Sequence, residues 1–152
     1  MTIHKINSSD FENDYTLIAV HANVAPYKLA FQINLKLKTK LKKSHFEITF
    51  KDNESVFDLY KHESETYKTK LYLISNKASV EAKTNTPSLF ENFYESKFLI
   101  PELKKAEFLI KIEGGGFKIT SLLKKLNEIE SVISCYSTEI NSYKSKYNLI
   151  FE

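Results

Sequence analysis

Residues 98–137, read as FLIPELKKAEFLIKIEGGGFKITSLLKKLNEIESVISCYS, contain the chain's best strand pattern, all three of its glycines and its best amphipathic helix. Over 106–113, apolar residues at the even positions alternate with mostly polar ones. This period of two predicts a strand with one apolar and one mostly solvated face. Gly114, Gly115 and Gly116 end it, since residues without a Cβ favour a turn. Apolar residues at helical spacing predict a helix over 119–129, and a second strand follows at 132–136. If the two strands are parallel in one sheet, the connection between them is right-handed.

The segment FLIPELKKAEFLIKIEG, residues 98–114, resembles the signature of the IPExxxDY family of short bacterial proteins of unknown function. Ile100, Pro101 and Glu102 match its first half, and Glu107 and Phe108 stand where the family's Asp-Tyr is expected. The two halves are separated by four residues instead of three. The resemblance implies no activity. From the residues themselves, we expect Pro101 to set the direction of the chain and Glu107 to face solvent. Glu102 either caps a turn or belongs to a patch that recognises a partner.

The size and composition of the chain indicate a single folded domain over 1–152, with residues 1–14 partly loose. The formal net charge is +3, and every basic residue is lysine. Arginine, which grips phosphates and guanine edges in a bidentate way, is absent, so specific nucleic-acid recognition is not expected. The single cysteine, Cys135, excludes an internal disulfide and is expected to be a small buried residue. Because there is no apolar signal segment and no run long enough to cross a bilayer, we expect a cytoplasmic protein without membrane contact.

The remaining elements follow from the apolar pattern. Residues 16–22 predict a central strand, covered on both faces. Asn23 is expected to cap a well-buried helix with Pro26 in its first turn, in which Tyr27, Ala30, Phe31 and Leu35 form one side. Further strands are predicted at 45–50, 56–61, 67–75 and 147–151. A turn is expected at 52–53, a surface loop at 76–87 and a short helix near 89–94.

Residues 35–43 read LKLKTKLKK, in which leucine and threonine alternate with lysine. This period predicts a strand whose lysines lie on one face. The candidate basic patch consists of Lys36, Lys38, Lys40, Lys42 and Lys43. It is either a solvated edge strand, which lysine protects against aggregation, or a basic ribbon for phosphate backbones or acidic partners.

The three glycines and Lys118 form a candidate anion site, because a glycine turn before a helix can direct N–H groups at an anion. The segment does not have the spacing of a nucleotide-binding loop, and the alternative is a plain turn. His4, His21, His45 and His62 show no metal-ligand spacing, and no acidic run has the glycine of a calcium loop. We therefore expect no metal, no cofactor and no catalytic residue.

The sequence predicts an α+β fold with an antiparallel or mixed sheet of about six to seven strands, two main helices on one face, and a second half of split βαβ, ferredoxin-like type. Three functions stay open. The first is a non-catalytic cytoplasmic module that binds a protein partner, a second copy of itself or a small ligand. The second is a weak lysine-mediated binder of nucleic acid or an acidic partner through 36–43. The third is an enzyme whose site is assembled from distant residues.

Overall fold

The computed structural model describes residues 15–44, 48–49, 56–81 and 94–149. Two helices are present in these ranges, α1 (Pro26–Leu37) and α2 (Ile119–Asn127). Short 3-10 turns occupy Pro101–Leu103, Ile140–Ser142 and Lys144–Leu149. The strands are β1 (Tyr15–Ala22), β2 (Lys42–Lys43), β3 (Ile48–Thr49), β4 (Val56–Phe57), β5 (Leu59–Ser64), β6 (Thr69–Ser75), β7 (Lys77–Glu81), β8 (Tyr94–Phe98), β9 (Phe108–Glu113) and β10 (Val132–Thr138).

The main sheet has six strands in the order β10–β1–β9–β6–β5–β2, and all neighbouring pairs are antiparallel. Two separate ribbons, β3–β4 and β7–β8, accompany it. Because β9 and β10 are both antiparallel to β1, they run parallel to each other with β1 between them. The segment β9–α2–β10 is therefore a split βαβ unit, and the predicted α+β fold with its six-stranded sheet is confirmed.

Both helices pack on one face of the sheet. The even-numbered residues of β1 and β9 point to this face, where Ile18 and Ile110 meet Leu29 and Ile33 of α1 and Leu126 of α2. This agrees with the predicted arrangement of the helices. It also explains the apolar row of α2, whose buried members are aligned on the side that faces the sheet.

The opposite face of the sheet carries a second core. Leu17, Ala19, Tyr72 and Leu109 lie there against residues from the chain's distant segments, namely Phe57, Leu99, Ile100, Leu103, Ile140 and Leu149. The prediction that the odd-numbered face of β9 is mostly solvated was therefore wrong. Alternation reports the polarity of a strand and not what covers it. The covering layer comes from Phe57, from residues 99–106 just before β9 and from residues 140–149 well after it. Central strand β1 is buried on both faces, as its sequence predicted.

The boundaries of α1 differ from the prediction at both ends. Its N-cap is Ala25, with Pro26 at the first helical position and no side-chain cap, so Asn23 does not cap the helix. The helix continues to Leu37, and Lys38 ends it in the left-handed conformation with φ 59° and ψ 44°. The predicted strand over 35–43 was thus wrong except at β2, since leucine and lysine are also strong helix formers.

Two other segments also differ. Asn76 is buried and β7 follows it at once, so 76–81 is not a surface loop. The chain at 147–149 forms a 3-10 turn in place of the predicted last strand. The predictions for 1–14, 45–47, 50, 52–53, 82–93 and 150–151 lie outside the described residues.

The outer edge of β10 is capped by a side chain. Asn127, at the end of α2, accepts a hydrogen bond from Cys135 N at 3.0 Å and donates one to Cys135 O at 3.3 Å. These backbone groups point away from β1, in the direction from which another strand would pair. The contact therefore obstructs strand addition at the centre of the edge, a usual protection against sheet-to-sheet association.

Candidate functional site

Three large apolar side chains of α1 lie in solvent. Tyr27, Phe31 and Leu35 are 69%, 61% and 66% exposed and follow one another at intervals of four residues. At 100° per residue they fall in an 80° arc on the side of the helix opposite Ile33, which is fully buried. The prediction that α1 is well buried was thus wrong for these three residues, although Ala30 is in the core. We call Tyr27, Phe31 and Leu35 the apolar stripe.

The stripe was visible in the sequence as a second row of apolar residues. Leu29, Ile33 and Leu37 form the row that faces the sheet, and the stripe lies on the far side of the same helix. Nothing in a single sequence decides which of the two rows a sheet covers. The prediction treated Tyr27, Ala30, Phe31 and Leu35 as one buried side widened by Leu29 and Ile33, whereas the structure separates the stripe from the buried residues.

The five candidate lysines are all exposed, but they do not share a strand face. Lys36 lies in α1, Lys38 and Lys40 lie in the loop after it, and Lys42 and Lys43 form β2 at the edge of the sheet. Lys36 is 3.4 Å from Glu128 Oε2, and Lys43 is 3.4 Å from Asp58 Oδ1. Of the five lysines, only Lys42 and Lys43 lie on an edge strand. The interpretation of the patch as a protective, solvated edge therefore fits these two residues alone.

The loop after α1 is held by two polar side chains. Asn34 Oδ1 accepts hydrogen bonds from Thr39 Oγ1 and Leu41 N, each at 2.8 Å. His62 Nδ1 accepts one from Lys40 N at 3.0 Å. The pKa of His62 is lowered, first by burial and second by the positive charge of Lys40. The lysines of this loop are therefore presented from a fixed backbone.

The glycine turn lies against the β5–β6 hairpin. Gly114 has φ +94°, and a Cβ there would overlap with Lys68 O, while a Cβ on Gly116 would overlap with Thr69 Oγ1. Gly115 has open space around its Cα. Close packing against the backbone of the hairpin at Gly114 and against its side chains at Gly116 thus accounts for two of the three glycines without a ligand.

A pocket of about 380 Å³ opens beside this turn, and its lining includes Gly114 but not Lys118, which precedes α2. Its charged residues have mixed sign, three carboxylates and two ammonium groups: Glu63, Glu65, Glu113, Lys68 and Lys70. Anion binding at the glycine turn stays a prediction, and the carboxylates beside it do not favour an anion.

Asn76 connects the segment that resembles the family signature to the sheet. Its side chain is fully buried, and Nδ2 donates to Leu103 O at 2.9 Å and to Ala106 O at 3.0 Å. Its Oδ1 accepts a hydrogen bond from Ile100 N at 2.8 Å. A single amide thus satisfies donors and acceptors on both sides of the 3-10 turn at Pro101–Leu103. No sequence signal indicates this role, because an asparagine after a strand is typical of a turn.

The residues of the signature itself have structural contacts. Ile100 and Phe108 are buried, and Glu102 Oε2 accepts a hydrogen bond from Ser145 N at 3.2 Å. Burial acts to raise the pKa of Glu102, but hydrogen bonds from its own backbone N–H and from Ser145 outweigh it, so the pKa is lowered. Glu107 Oε1 accepts a hydrogen bond from Ala22 N at 2.9 Å, beside the irregularity in β1. Glu107 was expected to face solvent, but its side chain is half-buried and accepts a hydrogen bond.

Lys111 carries a buried charge, although the alternation in β9 predicted that it lies on a mostly solvated face. It is 4% exposed, and its Nζ donates to Leu149 O at 2.7 Å and lies 3.1 Å from Glu113 Oε2. The amine also lies over the rings of Tyr15 and Tyr72, 4.7 and 5.6 Å from their centroids. These contacts compensate a buried ammonium and tie the C-terminal turn to the sheet.

His21, His62 and Cys135, which the structure describes, do not converge. His21 Nε2 is 3.0 Å from Tyr136 Oη, and the two rings stack with centroids 5.5 Å apart, whereas His62 is bonded to Lys40. Burial raises the pKa of Cys135 to about 11, as expected of an inert structural thiol. No group of three potential metal ligands occurs in the described ranges. His45 lies outside them.

Comparisons with protein-family models, curated proteins and solved structures give no match for this chain. Among the residues that the structure describes, neither helix is long and apolar enough to cross a membrane.

Proposed function

We propose that this chain is a non-catalytic cytoplasmic module that binds a protein partner through the apolar stripe of α1. The observation that carries the proposal is the exposure of Tyr27, Phe31 and Leu35 in one continuous row. Together they present roughly 350 Å² of mostly apolar surface, if a large side chain offers about 150–250 Å². Patches of this size on a monomer are often functional, whereas singly exposed apolar residues are common.

Self-association is less well supported than binding of another protein. The edge of β10 is obstructed by Asn127, which disfavours continuation of the sheet into a second copy. Pairing of two stripes would bring together two copies of a helix that carries two lysines, Lys28 and Lys36, and no acidic residue, so like charges would face each other. The first observation disfavours sheet continuation between copies, and the second favours a partner whose charge differs from that of α1.

An enzyme or a nucleic-acid binder is also less well supported. The hydroxyls in the pocket by Gly114 are engaged locally, since Thr69 Oγ1 donates to Tyr67 O at 3.1 Å and Ser64 Oγ accepts from Tyr67 N at 3.3 Å. No histidine or cysteine lines that pocket, so it offers no nucleophile–base pair of the usual kind. The candidate lysines are spread over a helix, a loop and a strand, with two of them in ion pairs, which does not favour a nucleic-acid groove.

The test is site-specific photo-crosslinking in the cells that produce the protein. A benzophenone amino acid replaces Phe31 in one version and Tyr147 in the control, because Tyr147 is also an exposed aromatic residue but lies outside α1. We expect discrete protein adducts from position 31 that are absent from position 147 and are lost when Leu35 is changed to Ser. Mass spectrometry identifies the peptides. Adducts only to this chain's own peptides, or the same adducts from both positions, would contradict the proposal.

A further inference from the structure

We infer that the partner presents an acidic amphipathic helix to the apolar stripe. This inference rests on the proposed function and names the chemistry of the partner. Its first support is the shape of the surface. Tyr27, Phe31 and Leu35 form a straight ridge at spacing i, i+4, i+8, about 12 Å long on a helix that rises 1.5 Å per residue. Ridges of this type pack into the grooves between side chains of another helix.

The second support is charge. Residues 16–46 contain no aspartate or glutamate but six lysines, at positions 28, 36, 38, 40, 42 and 43. In α1, Lys28 and Lys36 lie about two helical turns apart, in the row of side chains beside the stripe. Lys38 directly follows the helix. Lys36 and Lys43 are paired with acids of this chain. In the described part of the chain, the other four form no ion pair and are exposed. A partner with carboxylates at the rim of its apolar row would supply the missing opposite charges.

The third support distinguishes a protein helix from an anionic membrane, which also attracts basic amphipathic helices. An interfacial helix inserts a wide apolar face into the lipid. In α1, Leu29 and Ile33 of the other apolar row are fully buried against the sheet and Leu37 is partly buried, so the narrow stripe is the apolar surface that remains available. A narrow ridge with lysines beside it fits the groove of a helix better than a lipid surface.

The experiment uses two synthetic 18-residue helical peptides with the same leucine row, one flanked by glutamates and the other by lysines. Binding to the full chain is measured by fluorescence anisotropy. We expect the glutamate peptide to bind at least about 10-fold tighter than the lysine peptide. Phe31→Ser should weaken its binding at least about 30-fold, since central apolar contacts dominate such interfaces. Tyr147→Ser is the matched control and should bind like the unchanged protein. The double variant Lys28→Glu/Lys38→Glu should reverse the preference between the two peptides.

Several results would overturn the inference. Equal binding of both peptides would show that charge does not select the partner. Indifference to Phe31→Ser, with the fold verified by circular dichroism, would place binding elsewhere. Co-sedimentation with phosphatidylglycerol vesicles that Phe31→Ser abolishes would assign the stripe to lipid. If neither peptide binds at about 1 mM while crosslinks from position 31 persist, the inferred chemistry is wrong but the proposed function stands. If the crosslinks are also absent, both are wrong.

Discussion

Replacing Asn76 by leucine is expected to be among the most damaging single changes in this chain. Leucine has a similar size, but it can neither donate to Ala106 O nor accept from Ile100 N, which Asn76 does at 3.0 and 2.8 Å. Leu103 O keeps a second partner, because Ala106 N donates to it at 2.9 Å. Two buried backbone groups are thus left unsatisfied. At about 1–3 kcal/mol each, the expected loss is about 2–6 kcal/mol, a large part of the 5–15 kcal/mol by which domains are typically stable.

Urea unfolding followed by circular dichroism at pH 7 measures this loss. Asn148→Ala is the control, because Asn148 Nδ2 makes one hydrogen bond, to Leu99 O at 2.7 Å, in a part-buried place, and its loss should cost only about 1 kcal/mol. Asn76→Asp is the second variant, because its carboxylate would face carbonyl oxygens. Its stability relative to the unchanged protein should rise as the pH falls from 7 to about 4, because protonation returns a donor. A loss below about 1 kcal/mol for Asn76→Leu, or no pH dependence for Asn76→Asp, would refute the role given to this amide.

Three further predictions concern other parts of the fold. Gly114→Ala should lower the free energy of unfolding by about 2 kcal/mol or more, because of its positive φ and the overlap with the facing turn. Gly115→Ala should change it by less than about 1 kcal/mol in the same urea titration, and equal losses would contradict the steric explanation. The lowered pKa of His62 means that the folded state favours the neutral ring. The stability that the neutral ring contributes is present above the usual pKa of 6.5 and is lost as the pH falls below it. The protection of the Lys40 amide against exchange, corrected for the slower intrinsic exchange at low pH, should therefore decrease between about pH 7 and 5. His62→Ala should remove that pH dependence, and an unchanged profile would exclude the contact. Because burial raises the pKa of Cys135 to about 11, a thiol reagent should label it at pH 8 only after unfolding, and rapid labelling of the folded protein would contradict this.

The central strand–turn–helix–strand unit could be predicted because each of its signals is local. The alternation in β9, the glycines and the spacing of Leu122 and Leu126 need no information from elsewhere in the chain. The segment 35–43 was misassigned because alternating leucine and lysine fits both a strand and the end of a helix. The left-handed conformation of Lys38 and the contacts of Asn34 with Thr39 and Leu41 show where α1 ends, and the alternation reveals neither.

The features that a single sequence could not predict are long-range contacts. Lys111 is buried because the carbonyl of Leu149 and two tyrosine rings reach it from other segments. The apolar stripe is exposed because the sheet covers the row of Ile33 and not the row of Phe31. In both cases the residue type was evident, but its surroundings depend on which distant segment packs against it.

The position of β1 in the sheet has a consequence for synthesis of the protein. This strand is made before every other described strand, and both of its neighbours, β9 and β10, are made much later. His21 and Tyr136, which meet across one of these pairs, are 115 residues apart in the chain. At about 5–20 residues per second, the ribosome needs roughly 6–23 s to cover that interval. During that time an apolar strand such as 17–20 has no partner, so newly made chains should depend on a chaperone or on slow release of the nascent chain to avoid premature aggregation.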